Sequence, residues 1–288
     1  MVTPTTYNLY APELRLLGDH FGKGDDMSDA HQRYFGQLAG DTYGSADERP
    51  PLVLVHGLSY DRRQWEPLLR ELEAVDPGRR VLTLDLPGHG GSPRRDSYHT
   101  DEVTQVIHEA VTDAGLESPI IVGHSLGGVL ATIYAAEYPT RGAINIDQPL
   151  LVGGFGEALR QAEPVLRSPA YHQVWETMLA GMHIDLLPPA ARELVRTATT
   201  PRQDLLLGYW NEVIVTPAEE MTERRTRDLK AIHSRGIAYR YVTGDEPNPA
   251  YRQWLESTLP GIAITVLPGT GHFPHLARPA EIARMLDA

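Results

Sequence analysis

Ile120-Ile121-Val122-Gly123-His124-Ser125-Leu126-Gly127-Gly128-Val129 joins two periodicities across one turn. The first three residues are apolar and β-branched, as in a strand buried on both faces. After Ser125, Val129, Ile133 and Ala136 return at helical spacing. The serine sits between them in a Gly-x-Ser-x-Gly pattern. A sharp strand-to-helix turn strains the serine backbone and projects its hydroxyl. Side chains two residues away on either side would collide, so glycine is used there. The helix that follows points its first amides at any anion formed beside the serine.

Working outward, the same alternation repeats. Leu52-Val53-Leu54-Val55 stops at His56-Gly57, and Val81-Leu82-Thr83-Leu84 stops at Asp85. Ala143-Ile144-Asn145-Ile146 stops at Asp147. Between them, Trp65, Leu68, Leu69 and Leu72 fall at i, i+3, i+4 and i+7, and Val103, Ile107, Ala110 and Val111 nearly do. Strands alternating with helices predict an α/β fold, a mainly parallel sheet with helices on both faces. Ligands in such sheets bind beyond the carboxyl ends of the strands.

After Pro149 strand patterning stops for about 85 residues, far beyond an ordinary loop. Helical periodicity replaces it over 158–166, 171–182, 190–197 and 205–213, punctuated by Pro164, Pro169, Pro188-Pro189, Pro201 and Pro217. The run Glu223-Arg224-Arg225-Thr226-Arg227 reads as a solvated helical face. Strands resume at Ala238-Tyr239-Arg240-Tyr241-Val242 and Ala263-Ile264-Thr265-Val266-Leu267. The expected organisation is a core of residues 1–149 and 236–288, with a helical cap inserted at 150–235. Residues 1–50 are glycine-punctuated and weakly patterned, with a helix expected at about 29–38.

The 288 residues fit one large domain or a domain with an insertion. A formal net charge of −12 argues against a nucleic-acid surface and against a polybasic membrane anchor. The chain has no cysteine, which excludes disulfides, thiolate metal sites and a cysteine nucleophile. The first 17 residues lack the pattern of a secretion signal, and no stretch is apolar enough to span a membrane. A cytoplasmic protein is expected, monomeric or homodimeric, with no membrane or nucleic-acid partner. No histidine or carboxylate pair has a convincing metal spacing, so neither metal nor cofactor is expected.

Four segments resemble the motifs of the α/β-hydrolase family, in its order. They are Leu54-Val55-His56-Gly57-Leu58, Asp85-Leu86-Pro87-Gly88-His89-Gly90-Gly91-Ser92, Gly123-His124-Ser125-Leu126-Gly127-Gly128 and Gly271-His272-Phe273-Pro274-His275. The resemblance covers roughly 50–150 and 237 to the end. It implies Ser125 as nucleophile and His272 as general base, imidazole having a pKa near working pH. His275 reads as support or surface. His56, His89 and His124 read as loop-packing residues bonded to backbone. The acid that orients the base has two candidate places. The family often reads glycine, two residues, then aspartate after the strand that follows the cap. Here Gly244-Asp245-Glu246-Pro247 puts proline at that position, leaving Asp245 and Glu246 as neighbours. Some members, including certain haloalkane dehalogenases and lactone hydrolases, carry the acid one strand earlier, which here is Asp147. Asp147 is the expected acid, with Asp245 and Glu246 as alternatives. All three keep the order Ser, acid, His.

The backbone amides of Leu58 and Leu126 are the expected oxyanion donors. Tyr171, Trp175 and Met178, at helical spacing, and Trp210 are the expected pocket wall, although such stripes more often form core. The expected function is a serine hydrolase, cleaving an ester or lactone of a small to medium hydrophobic substrate through an acyl-enzyme. The same triad also serves C–C bond hydrolysis, perhydrolysis or amide cleavage. A hydrolase-fold receptor with little turnover is the alternative of a different class.

Overall fold

The computed structural model describes residues 33–197, 199 and 201–286. Its centre is an eight-stranded sheet, built from β1 (Tyr34–Phe35), β2 (Leu38–Tyr43), β3 (Leu52–Val55), β4 (Val81–Leu84), β5 (Ile120–His124), β6 (Gly142–Ile146), β7 (Ala238–Thr243) and β8 (Ala263–Val266). The spatial order is β1-β2-β4-β3-β5-β6-β7-β8. β3 to β8 run parallel, whereas β1 and β2 are an antiparallel edge.

Eleven α-helices connect or cover these strands among the described residues: α1 (Glu66–Val75), α2 (Thr100–Asp113), α3 (Leu126–Glu137), α4 (Gly153–Leu166), α5 (His172–Gly181), α6 (Pro189–Thr197), α7 (Gln203–Val215), α8 (Ala218–Ser234), α9 (Pro249–Thr258), α10 (Pro274–Ala277) and α11 (Pro279–Leu286). None is long and apolar enough to cross a membrane.

Each inner strand is apolar on both faces. Leu52, Leu54, Val122, Ile144, Ile146 and Val242 pack with Leu68 and Leu72 of α1 and Ile282 and Leu286 of α11. Val53, Val55, Leu82, Leu84, Ile121 and Tyr241 point the other way. They share a core with Val103 and Ile107 of α2, Leu130 and Tyr134 of α3, and Leu229 and Ile232 of α8. Successive strand residues face opposite sides, so two-sided burial turns each strand into a continuous apolar run.

Two local expectations are corrected. Residues 29–32 of the expected N-terminal helix lie outside the described residues, and the rest of it is a hairpin. Gly36 turns at φ +54°, and Tyr34 and Phe35 pair with Ala39 and Leu38. Pairing with β4 along Gly40 to Tyr43 outweighs the weak local helix preference. In α8, Glu223 and Arg227 are exposed, but Arg225 is buried and ion-paired with Asp228 at 3.2 Å. Arg225 lies on the stripe of Met221, Leu229 and Ile232, which faces inward.

Candidate active site

The parallel registers bring the ends of the inner strands to one level. Val55 is paired with Gly123, His124 with Ile146, and Ile146 with Val242. The residues just beyond these ends therefore meet at one edge of the sheet.

Ser125 is the single residue between β5 and α3, with φ 52° and ψ −124°. Non-glycine residues rarely adopt such a conformation, and surrounding structure must hold it. Here the Ser125 N–H donates to Ile146 O at 3.0 Å, carrying the sheet ladder one residue past β5. The flanking glycines are required by contact. A methyl on Gly123 would lie 1.8 Å from Gly127 O, and one on Gly127 would lie 2.2 Å from Val55 O. Ser125 is half-buried.

Asp147 follows β6 with φ +54°, and its N–H donates to Val242 O at 2.7 Å. The turn aims its carboxylate across β7 at the loop after β8. Oδ2 accepts from His272 Nδ1 at 2.8 Å. Oδ1 accepts from Thr243 Oγ1 at 2.7 Å and from the Gly244 N–H at 3.0 Å. Burial acts to raise this carboxyl's pKa, but the His272 imidazole and the two other donors outweigh it. Asp147 is thus held below the usual carboxylate range. Because Asp147 accepts at Nδ1, that nitrogen carries the His272 proton and Nε2 is the ring's free acceptor.

Asp245 and Glu246 lie elsewhere. Both are exposed, and Glu246 pairs with Arg252 at 2.8 Å. The chain turns outward at Pro247, and Asn248 caps α9 by accepting from the Ala250 N–H at 2.9 Å. Thr243 was not anticipated. Its only signal in the sequence is a hydroxyl at the end of the strand beside Asp147.

The loop carrying His272 is held by its backbone as well. The His272 N–H donates to Met182 O, just past α5, at 3.2 Å, and the His272 carbonyl accepts from His124 Nε2 at 2.8 Å. Of the other histidines, His56 donates from Nδ1 to Gly57 O at 2.7 Å and accepts at Nε2 from the Leu86 N–H at 2.9 Å. His89 donates to Pro87 O at 3.1 Å and accepts from the Ser59 N–H at 2.9 Å. These two bind the loops after β3 and β4 together, as loop-packing residues do, and burial drives both pKa values down. His275 is fully buried, with its pKa pushed to about 3 by burial. It belongs to the interior rather than the surface.

Leu126 is the first residue of α3, so its N–H has no acceptor within the helix. Leu58 follows Gly57, and a methyl on Gly57 would lie 3.1 Å from Ser125 Cβ. The loop after β3 thus abuts the Ser125 turn, at the start of α3.

Of the expected pocket residues, Trp175 and Trp210 are buried, whereas Tyr171 and Met178 are partly buried. A lane of rings runs from the inserted helices to the site. Trp210 and Trp175 are 6.5 Å apart, Trp175 and Tyr60 6.2 Å, and Tyr60 meets Phe273 edge-on at 5.8 Å. Phe273 adjoins His272. Tyr60 was not anticipated, because a lone tyrosine after His56-Gly57-Leu58-Ser59 has no distinctive pattern.

The chain is similar in sequence and in fold to known proteins. The chain is 26% identical over 260 residues to the 2-succinyl-6-hydroxy-2,4-cyclohexadiene-1-carboxylate synthase of Enterobacter sp. (strain 638), covering 86% of this chain and 95% of that one. It is 35% identical over 122 residues to a (lyso)-N-acylphosphatidylethanolamine lipase of Bos taurus, covering 41% of this chain. That match spans about a third (34%) of the lipase's length. In structure it resembles the enol-lactonase of Burkholderia xenovorans LB400, with a TM-score of 0.69 at 15% identity, covering 87% of this chain and 95% of that one. A sequence profile of the alpha/beta hydrolase family matches residues 52–285. That span runs from β3 into α11 and takes in every residue of the site, so the chain belongs to the alpha/beta hydrolase family.

Proposed function

We propose that the chain is a serine hydrolase cleaving a carboxylic ester or lactone of a small to medium hydrophobic substrate. The observation that carries this reading is the 2.8 Å bond between Asp147 Oδ2 and His272 Nδ1, at the same sheet edge as the strained Ser125 turn. Ser125 Oγ attacks the carbonyl while His272 Nε2 takes its proton. Asp147 holds the tautomer and stabilises the imidazolium. The Leu58 and Leu126 amides receive the oxyanion; one such donor typically contributes about 10²–10³ in rate. His272 then protonates the leaving oxygen, and water releases the acyl group by the reverse proton path. In this reading Asp245 and Glu246 have no catalytic part.

Helices α4 to α7 are the cap over this edge, whereas α8 belongs to the layer packed on α3. The rings of Trp175, Trp210, Tyr60 and Phe273 favour an apolar acyl or ring portion in the substrate. The lipase, lactonase and synthase names among similar proteins set the breadth of the first substrate panel.

The test is a panel of p-nitrophenyl esters and lactones, with fluorophosphonate labelling. Ser125→Ala should lose turnover and labelling together. Labelling retained at another serine would remove the assignment. Saturable ligand binding by wild type without turnover of any panel member would favour a receptor.

A further inference from the structure

The base sits on a short loop with little regular structure of its own. Gly269 and Gly271 both take positive φ, at 77° and 53°, and α10, which follows, is a single turn. The loop's shape depends on bonds from outside it. One is the carboxylate bond at the tip of the imidazole. Another comes from His124, which adjoins Ser125 in the chain.

His124 is fully buried. Its ring packs 4.8 Å from that of His272, 4.2 Å from that of His275 and 5.2 Å from that of Phe273. On the other side it meets Gly57, where a methyl would lie 3.1 Å from His124 Nδ1. Nδ1 has no partner among the described residues. Nε2 lies 2.8 Å from the His272 carbonyl. A carbonyl only accepts, so Nε2 carries the proton. Burial, reinforced by the neighbouring His275 and His272, holds the ring neutral and so keeps it a single donor.

We propose that His124 is a positioning residue for His272, its Nε2–H tying the backbone of the base to the nucleophile turn. The inference rests on reading His272 as the base and Ser125 as the nucleophile. Asp147 fixes the outer edge of the imidazole from β6. His124 fixes the peptide at its root from β5, one residue away from the hydroxyl it must serve. With both ends held, the ring cannot swing without breaking one of two short hydrogen bonds. A donor at this place acts on the spacing between Ser125 and His272, not on substrate contact. Displacing a catalytic group by about 1 Å can cost about 10²-fold in rate.

The experiment compares His124→Phe, which keeps a ring but removes the donor, with His124→Gln, whose amide N–H can reach the same carbonyl. Each is assayed for kcat and KM on a short p-nitrophenyl ester and for its rate of fluorophosphonate capture, with melting temperature as the fold control. His124→Phe is expected to lower kcat and the capture rate by about 10- to 100-fold, with KM within about threefold. His124→Gln should recover most of the loss. If His124→Phe does not fold, His124→Asn replaces it, because its shorter amide falls short of the carbonyl and should stay slow. A folded His124→Phe with kcat within about twofold of wild type overturns the proposal. So does a His124→Gln as slow as the donor-less variant, or a His124→Asn as fast as His124→Gln. Ser125→Ala, run alongside, separates the two levels. Activity persisting there removes the serine reading itself, whereas its loss beside an unimpaired His124→Phe overturns the role of His124 alone.

Discussion

At the scale of single residues, the site depends on how completely Asp147 is bonded. Its two oxygens take three donors, from His272, Thr243 and Gly244. Asp147→Asn keeps an oxygen for Thr243 and Gly244 but turns an amide toward Nδ1, which favours the wrong imidazole tautomer. The corresponding change in a serine protease triad costs about 10⁴ in kcat, and a loss of about 10²–10⁴ is expected here, with little change in melting temperature. Asp245→Asn, at an exposed carboxylate, should leave kcat within about twofold. Steady-state kinetics on both variants checks this. The reverse pattern, with Asp245→Asn inactive and Asp147→Asn unimpaired, would sink the assignment. Thr243→Val removes a bond to a charged acceptor worth about 1.5–3 kcal/mol and should lower kcat by roughly tenfold, without abolishing it. Asp147 could be read as a candidate because it ends a strand beside the nucleophile. Its preference over Asp245 was suggested by Pro247, which occupies the usual place of the acid. Thr243 was not legible, because a hydrogen bond from β7 to the residue that follows β6 leaves no mark on local sequence.

At the scale of elements, the inserted helices meet the loop that carries His272 through a backbone hydrogen bond. The corner after α5, where His183 takes φ +53°, presents Met182 O to the His272 N–H. Gly271 makes this approach possible, since a methyl there would lie 2.7 Å from Met182 O and 3.0 Å from His183 Cβ. Its φ of +53° also disfavours a side chain. Gly271→Ala must therefore push the loop carrying His272 away from α5 or bend it. It should cost about 1–3 kcal/mol in stability by urea denaturation, and lower kcat more than KM. Unchanged kcat in the folded variant would show that this contact does not govern the base. The six parallel strands were legible almost to the residue, because burial on both faces makes each a short apolar run with a sharp end, whereas the antiparallel β1 and β2 carry no such run. The insertion was legible as helices but not as a shape. Pro164, read as a break, lies inside the last turn of α4. Its missing N–H leaves one carbonyl free near a helix end, where such groups are tolerated. α8 reads as polar, yet one stripe of it covers the sheet.

At the scale of the molecule, the chain buries histidines that must stay neutral. His56, His89, His124 and His275 are each at most 4% exposed, and burial leads the lowering of all four pKa values. In the unfolded chain each titrates near the ordinary value of about 6.5. The sign follows from proton uptake. Above about pH 6.5 neither state binds these protons, and stability is at its full value. As pH falls below that value the unfolded chain binds protons that the folded chain refuses, so stability declines. Each histidine contributes up to about 1.4 kcal/mol per pH unit until its folded pKa is reached. For His275 that lies at about 3. Asp147 acts at lower pH. Its depressed pKa gives a stabilisation that is whole above the unfolded value of about 3.9 and is lost as pH falls through the folded one. The histidine loss therefore comes first. Urea denaturation between pH 7.5 and 5 should show stability falling below about pH 6.5, with a net uptake of protons on unfolding. His275→Phe removes one of these groups and should flatten the slope, whatever its effect at pH 7.5. Stability that stays level from pH 7.5 to 5 would mean that these imidazoles accept protons in the folded state.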